Sequence, residues 1–171
     1  MAALNDRGVI MFRLLKTALV AAIGLHALIY ALQNIANLDA AQAALGYVIS
    51  NAEHESYPDT MFFGIDSPAV AMAALWLVII GEALVGVFGL KGAWDMFAAR
   101  TADGDTFHKA KRAGLWAAGL ALLVWFGLFM TIGAAFFQMW QTQLGTGSME
   151  GAFMYAMASV VTMLFVYLTE D

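Results

Sequence analysis

Four long apolar runs, separated by polar connections, dominate the chain. Each run stays apolar around its whole circumference apart from His26 and Glu82, and so lacks the charged stripe of a helix at the surface of a soluble protein. A helix needs about 20 consecutive apolar residues to cross the hydrocarbon core of a bilayer. The pattern therefore predicts four membrane-spanning helices, over residues 17–36, 69–90, 113–137 and 151–169.

The connections predict how these helices are arranged. Because successive spans cross a membrane in opposite directions, the sequence predicts an all-α fold: one integral membrane domain, residues 1–171, folded as an antiparallel four-helix transmembrane bundle. The long first connection starts with LDAAQAALGYVI, residues 38–49, which predicts a short amphipathic helix lying in the membrane interface. Ser67 followed by Pro68 is typical of a helix start, and LGTGS, residues 144–148, predicts a turn before the last span.

Composition supports the membrane assignment and excludes several classes of site. Hydrophobic residues make up 62% of the chain and charged residues 12%, with a mean hydropathy of +0.75, whereas a soluble domain has about 25% charged residues. The absence of cysteine excludes disulfides, a thiolate nucleophile, iron–sulfur clusters and cysteine-ligated zinc. A net charge of −5 argues against a nucleic-acid partner, which would need a basic face.

The basic residues are confined to two segments. All eight Lys and Arg residues lie within residues 7–16, before the first span, or within residues 91–112, between the second and third. By the positive-inside rule, both termini and the 91–112 connection are predicted to be cytoplasmic. Acidic residues then face the other side without a balancing cation, which makes the outer loop a candidate docking surface for a basic periplasmic protein.

Glu82 is the most informative residue within the spans. A carboxylate inside a membrane costs at least ~2.5 kcal/mol by insertion scales, so Glu82 is expected to be protonated or paired. Glu82 lies nine residues from Lys91, and His26 lies ten residues from Lys16. At ~1.5 Å per residue these depths are about 13 Å and about 15 Å from the same side. The similar depths predict an intramembrane polar pair of Glu82 and His26, which acts as a structural lock, a proton relay or ligand site, or a contact with another subunit.

The third predicted span ends in a group of aromatic and amide side chains. Its members are Phe136, Phe137, Gln138, Trp140 and Gln141. Tryptophan concentrates where the hydrocarbon core meets the headgroups, so this group predicts an interfacial anchor. A pocket for a quinone or a lipid headgroup, built from the same groups, is the alternative.

Small residues four apart occur on the third predicted span. They are Ala113 with Ala117 and Gly114 with Ala118. Such pairs let two helix backbones approach closely. They predict tight packing either inside the bundle or against another protein.

The sequence carries no strong metal, cofactor or catalytic motif. Weak metal candidates lie in the outer loop, where carboxylates and an imidazole could ligate a divalent ion: Glu53, His54, Glu55 and Asp59. His26 has no second histidine at similar depth, so bis-histidine haem is not predicted and no cofactor is assigned. Because the chain shows no nucleophile–base set, phosphate loop or nucleotide fingerprint, we expect it not to be an enzyme.

The run AKRAGLW…VWFGLFMTIGAAFFQMWQ, residues 110–141, carries a family resemblance. It is similar to the signature of a bacterial family of predicted small integral membrane proteins, a domain of unknown function numbered 2165. The most specific part is Trp125-Phe126, Ile132-Gly133 and Met139-Trp140-Gln141, and other pieces fit in the same order: Lys16, Asn34-Ile35, Tyr57-Pro58, Ser67-Pro68 and Glu82. The resemblance covers most of the chain from Phe12 onward and implies a four-helix protein of the bacterial inner membrane, with no established activity.

The chain departs from the family pattern at two places. The pattern has Gly-Glu-Trp-Phe after Gly133, whereas this chain has AAFF, residues 134–137, so the family carboxylate is missing at Ala135. The outer-loop histidine of the pattern is also missing, with Ile49 near its place. If those groups carry proton or metal chemistry in the family, this chain lacks it.

The lack of a catalytic set and the large lateral surface of a small apolar bundle favour one function. We expect a non-catalytic accessory or structural subunit of a larger bacterial inner-membrane complex, of respiratory or photosynthetic type. Its partners would then be the lipid bilayer and other membrane subunits. The alternatives are a small proton or solute transport protein that uses Glu82 and His26, and a quinone- or haem-binding membrane anchor.

Overall fold

The computed structural model describes residues 6–57, 59 and 61–169, and these residues are mainly helical. The α-helices are α1 (Asp6–Ala36), α2 (Leu38–Ile49), α3 (Pro68–Ala98), α4 (Gly104–Ala110), α5 (Arg112–Leu122) and α6 (Gln143–Leu168). A π-helix, Leu123–Phe136, continues α5, and a short 3₁₀ helix, Met139–Gln141, precedes α6.

In the part of the chain that the structure describes, four helical segments are long and apolar enough to cross a membrane, which confirms the four predicted spans. They are Asp6–Ala36, Pro68–Ala98, Gly104–Phe136 and Gln143–Leu168. Most of these helices extend well beyond the predicted span at one end. The reason is that helical hydrogen bonding continues after the apolar residues stop. The predicted short helix in the first long connection is confirmed as α2.

One predicted helix start is confirmed and one predicted turn is wrong. The Ser67 hydroxyl accepts a hydrogen bond from the Val70 N–H at 3.4 Å, and Pro68 is the first residue of α3. Residues 144–148 are helical instead of forming a turn, because Thr142 caps α6 by accepting from the Gly145 N–H at 3.0 Å. Gly145 serves packing: a Cβ there would lie 2.6 Å from the carbonyl carbon of Met139.

Helix α3 packs against its neighbours at glycines. A Cβ added to Gly89 would lie 2.6 Å from the Gly24 Cα of α1, and one added to Gly92 would lie 2.7 Å from the Gly114 Cα of α5. Inside a membrane, helices gain little from excluding water from each other, so close backbone approach of this kind supplies much of the packing. The predicted small-residue pair of Gly114 and Ala118 therefore packs inside this chain, where both residues are buried.

Buried cations hold one end of the molecule together, and we call this the basic end. Arg13 Nη1 donates to the carbonyl oxygens of Arg100 at 3.0 Å and Ala102 at 2.6 Å, and the guanidinium lies 4.7 Å from the Phe107 ring centroid. Lys16 Nζ donates to the Thr169 carbonyl oxygen at 3.0 Å. These bonds join the start of α1 to the turn after α3 and to the end of α6.

Candidate functional site

Glu82 lies inside the protein with an amide partner. Its side chain is 1% exposed, and Oε2 accepts a hydrogen bond from Asn34 Nδ2 at 2.9 Å. Asn34 lies near the end of α1, and Glu82 lies in the middle of α3. The hydrogen bond satisfies a polar group that would otherwise be costly among apolar side chains.

The structure gives Glu82 a different partner from the predicted His26. The depth estimate is wrong, because Gly24 meets Gly89 and Leu28 meets Gly86, which places Glu82 opposite residues of α1 beyond Leu28. Depth also does not say which side of α1 faces α3. Gly24 contacts α3 directly, and His26, two residues on, is rotated from it by about 200° at ~3.6 residues per turn. Asn34, ten residues from Gly24, is within about 80° of the same side.

His26 lies instead among three aromatic rings. Its ring centroid is 4.3 Å from that of Tyr155, 4.8 Å from that of Tyr30 and 5.4 Å from that of Trp125. Tyr30 and Tyr155 share a hydrogen bond between their hydroxyls. Within the described part of the chain, His26 Nε2 is buried and has no hydrogen-bond partner. The imidazole therefore packs as a ring in this aromatic cluster, while Glu82 is hydrogen-bonded to Asn34.

The amides of the interfacial cluster bind a loop. Gln141 Oε1 accepts from the Tyr57 backbone N–H at 2.8 Å, and Gln141 Nε2 donates to Gln138 Oε1 at 2.6 Å. The Trp140 ring lies 5.2 Å from that of Tyr57. These contacts fasten residues near Tyr57 to the segment that leads into α6.

The phenylalanines of the same cluster hold the loop through its second half. The Phe136 ring stacks on Phe62 with centroids 4.2 Å apart, and Phe137 is buried against Ile49 and Ala71. Together with the amides, they form a clasp that contacts Tyr57 and Phe62 of the loop. The amides of this cluster are hydrogen-bonded within the chain, which favours an anchoring role over a ligand pocket built from these same five residues.

The weak metal candidates of the loop do not converge. Among the described residues, no three His, Asp or Glu side chains lie close enough together to hold a metal ion. Glu53 accepts instead from the Tyr47 hydroxyl at 2.6 Å, and this hydrogen bond raises the pKa of Tyr47. Partial burial lowers the pKa of His54, which favours its neutral form.

A cavity of about 300 Å³ lies between α2, the adjoining ends of α1 and α3, the π-helix and the start of α6. Its wall is apolar except for Asn34, the hydrogen-bond partner of Glu82, and Ser148. The Ser148 hydroxyl donates to the Leu144 carbonyl oxygen at 3.0 Å. Sequence reasoning missed this cavity, because it forms from residues of six separate helical elements.

A family model settles what kind of protein this is. The model described as "Predicted small integral membrane protein (DUF2165)" matches residues 12–169. The chain belongs to this family. The resemblance carried by residues 110–141 is thereby confirmed, and the protein is an integral membrane protein. Searches of curated proteins and of solved structures found no match.

The motif residues of this family member are spread over the sites just described. Trp125 contacts His26, Ile132 and Gly133 line the cavity together with Met139, and Gln141 belongs to the clasp. Trp125, Ile132 and Gly133 lie on the π-helix. Its wider turn is seen in the bonds from Phe137 N to Ile132 O at 3.0 Å and from Thr131 Oγ1 to Phe126 O at 3.2 Å, each five residues apart. Such segments frequently occur at functional sites.

The two departures from the family pattern lie in different settings, one buried and one exposed. Ile49, near the place of the family's loop histidine, is 6% exposed and packs against Ala71 and Phe137. Ala135, in place of the carboxylate, is exposed. In this family member those positions carry no titratable chemistry.

The Glu82–Asn34 pair can be tested by a double-mutant cycle. Glu82→Leu and Asn34→Leu are each expected to lower the free energy of unfolding by about 1–3 kcal/mol, because each leaves a polar partner without its hydrogen bond. The double variant is expected to regain about 1 kcal/mol of the summed loss. Unfolding in mild detergent measures this, with Gln33→Leu, at the exposed neighbour, as the control. Strictly additive losses would show that the two side chains do not interact.

Proposed function

We propose that this protein is a non-catalytic accessory subunit of a larger bacterial inner-membrane complex, of respiratory or photosynthetic type. In this proposal the spans form an antiparallel bundle, with the basic end in the cytoplasm and α2 lying in the opposite membrane interface. The family membership supplies the membrane setting. The distribution of arginine and lysine supports the orientation.

One face of the third span carries the proposal. Trp116, Leu123 and Phe126 are 62%, 67% and 58% exposed, and they follow one another at helical spacing. Gly119 lies between them, and beyond its own helix backbone a Cβ added there would meet no described residue within 4 Å. Large side chains on either side of a small residue form a notch into which an apolar helix of another membrane protein can pack.

The polar groups inside the spans support a non-catalytic role. Glu82 is bonded to Asn34, and Tyr30 is bonded to Tyr155. Each of these groups already has a partner within the chain, so none is presented to a substrate at the notch. The alternative of proton or solute transport through Glu82 and His26 gains no support, since His26 lies in the aromatic cluster.

Site-specific photo-crosslinking tests the partner face. A photoreactive residue is placed at Leu123 in the native host, and a matched one is placed at Val87, which is 61% exposed on α3. The expected result is one specific protein adduct from position 123, none from position 87, and loss of the adduct in a Gly119→Leu background. A monomer that purifies in mild detergent without a crosslinked or co-purifying protein would contradict the proposal.

A further inference from the structure

The cavity beside Asn34 has the size and wall of a small-molecule site. Its volume of about 300 Å³ lies at the lower end of the ~300–1,000 Å³ that such sites occupy. The wall offers apolar side chains such as Leu45, Val78 and Phe129. Water in an apolar cavity lacks hydrogen-bond partners, and an ion would lose its hydration without compensation. The geometry therefore favours a neutral, lipid-soluble occupant.

Asn34 places a polar side chain in the wall of this apolar cavity. The bond from its Nδ2 to Glu82 fixes the amide at 2.9 Å from the carboxylate and uses one of the two N–H groups. A second N–H and the amide oxygen remain on the side chain. An occupant with a carbonyl oxygen could accept from that N–H, while an unsubstituted hydrocarbon chain could not.

The walls come from elements that can admit a ligand from the lipid. Helix α2 is short and supplies Ala41 and Ala44 to the cavity, where small side chains leave space. Phe129 and Phe137 supply aromatic surface from the third span and its exit. Aromatic rings pack well against another flat ring.

We propose that this cavity binds a lipid-soluble carbonyl compound of the quinone class. The ring lies among the apolar side chains, and one ring carbonyl accepts a hydrogen bond from Asn34. The site shares Phe137 with the clasp, but the amides of Gln138 and Gln141 lie outside its wall and are engaged with each other and with the loop. It does not depend on the accessory role, because a subunit or a free-standing protein could carry it.

Binding is tested on the full-length protein in detergent. Decylubiquinone is the probe, and ethyl decanoate, a carbonyl ester with an alkyl chain of similar length and no quinone ring, stands for a lipid acyl ester. Equilibrium dialysis gives Kd, and the thermal shift gives an independent measure. The wild-type protein is expected to bind the quinone at least about tenfold more tightly than the ester, because both carbonyls can accept from Asn34 but only the quinone ring packs against Phe129 and Phe137.

Two pairs of variants locate the site. Ala44→Phe fills the cavity from α2 and is expected to weaken quinone binding at least about tenfold, whereas Ala43→Phe, on an exposed neighbour outside the wall, leaves Kd unchanged. Asn34→Leu is expected to weaken quinone binding about tenfold, with Gln33→Leu as its control. If Asn34→Leu fails to fold, the Ala44 and Ala43 pair still decides the site.

Two results would overturn the proposal. Equal quinone affinity in Ala44→Phe and wild type would place binding outside the cavity. Equal affinity for ester and quinone, unaffected by Asn34→Leu, would show a site for acyl chains of lipids. Neither outcome tests the partner face at Gly119, so the quinone site and the accessory role are tested independently.

Discussion

Gly89→Leu is expected to remove the folded protein from detergent extracts. A Cβ at this position would lie 2.6 Å from the Gly24 Cα and 2.9 Å from the Gly24 nitrogen, both backbone atoms of α1 that cannot move aside alone. Overpacking against side chains already costs ~1–3 kcal/mol. Here the larger side chain must force α1 and α3 apart, which also disturbs the neighbouring Glu82–Asn34 bond. Size-exclusion chromatography is expected to show aggregate where the wild type gives a single folded peak.

Gly119→Leu is the matched control for this change. It adds the same side chain at a glycine in another membrane-spanning helix, but outside its own helix backbone no atom of the described residues lies within 4 Å of the added Cβ. We expect it to fold like the wild type while losing the proposed partner. If Gly89→Leu and Gly119→Leu gave equal yields of folded protein, the close packing of α1 on α3 would be wrong.

Arg13→Ala is expected to destabilise the basic end by about 3 kcal/mol, in line with hydrogen bonds to a charged donor worth ~1.5–3 kcal/mol each. Arg13 is 4% exposed, and its guanidinium binds the carbonyl oxygens of Arg100 and Ala102. Removing it leaves both carbonyls without that donor and opens space beside Phe107. Thermal unfolding in detergent measures the loss.

Arg7→Ala provides the comparison, because Arg7 is exposed on the same helix. Its removal is expected to change the free energy of unfolding by less than about 0.5 kcal/mol, as is usual for surface substitutions. Arg13→Lys keeps a charge but loses the planar guanidinium that lies over the Phe107 ring, so it is expected to lie between wild type and Arg13→Ala. Equal stability of Arg7→Ala and Arg13→Ala would show that the turn after α3 does not depend on Arg13.

The four spans and the start of α3 could be predicted because their causes lie along the chain. A long apolar run is excluded from water whatever it packs against. Ser67 caps the helix that starts at Pro68 through a hydrogen bond to a residue only three positions away. The role of the glycines of LGTGS, in contrast, cannot be read from the neighbouring sequence. Gly145 looks like a turn residue, yet it is needed because Met139 passes close to it.

The partner of Glu82 could not be predicted from depth alone. That choice needs both the register of α1 against α3 and the side of α1 that faces α3. Both are set by the Gly24–Gly89 contact, which cannot be seen in either apolar run. Once that contact is known, Asn34 is the polar residue close to the facing side. The cavity and the π-helix could not be predicted either, because both depend on how the ends of several helical elements pack against one another.

Single-cysteine labelling tests the central claim, that the helices cross a membrane with the basic end on the cytoplasmic side, most directly. The chain has no cysteine, so each introduced thiol is the only target. Glu55→Cys lies in the exposed loop after α2, and Asp105→Cys lies on the exposed surface of α4 near the basic end. With an impermeant maleimide on intact spheroplasts, we predict labelling of Glu55→Cys at once and of Asp105→Cys only after permeabilisation. Labelling of both in intact spheroplasts, or the reverse order, would contradict the account.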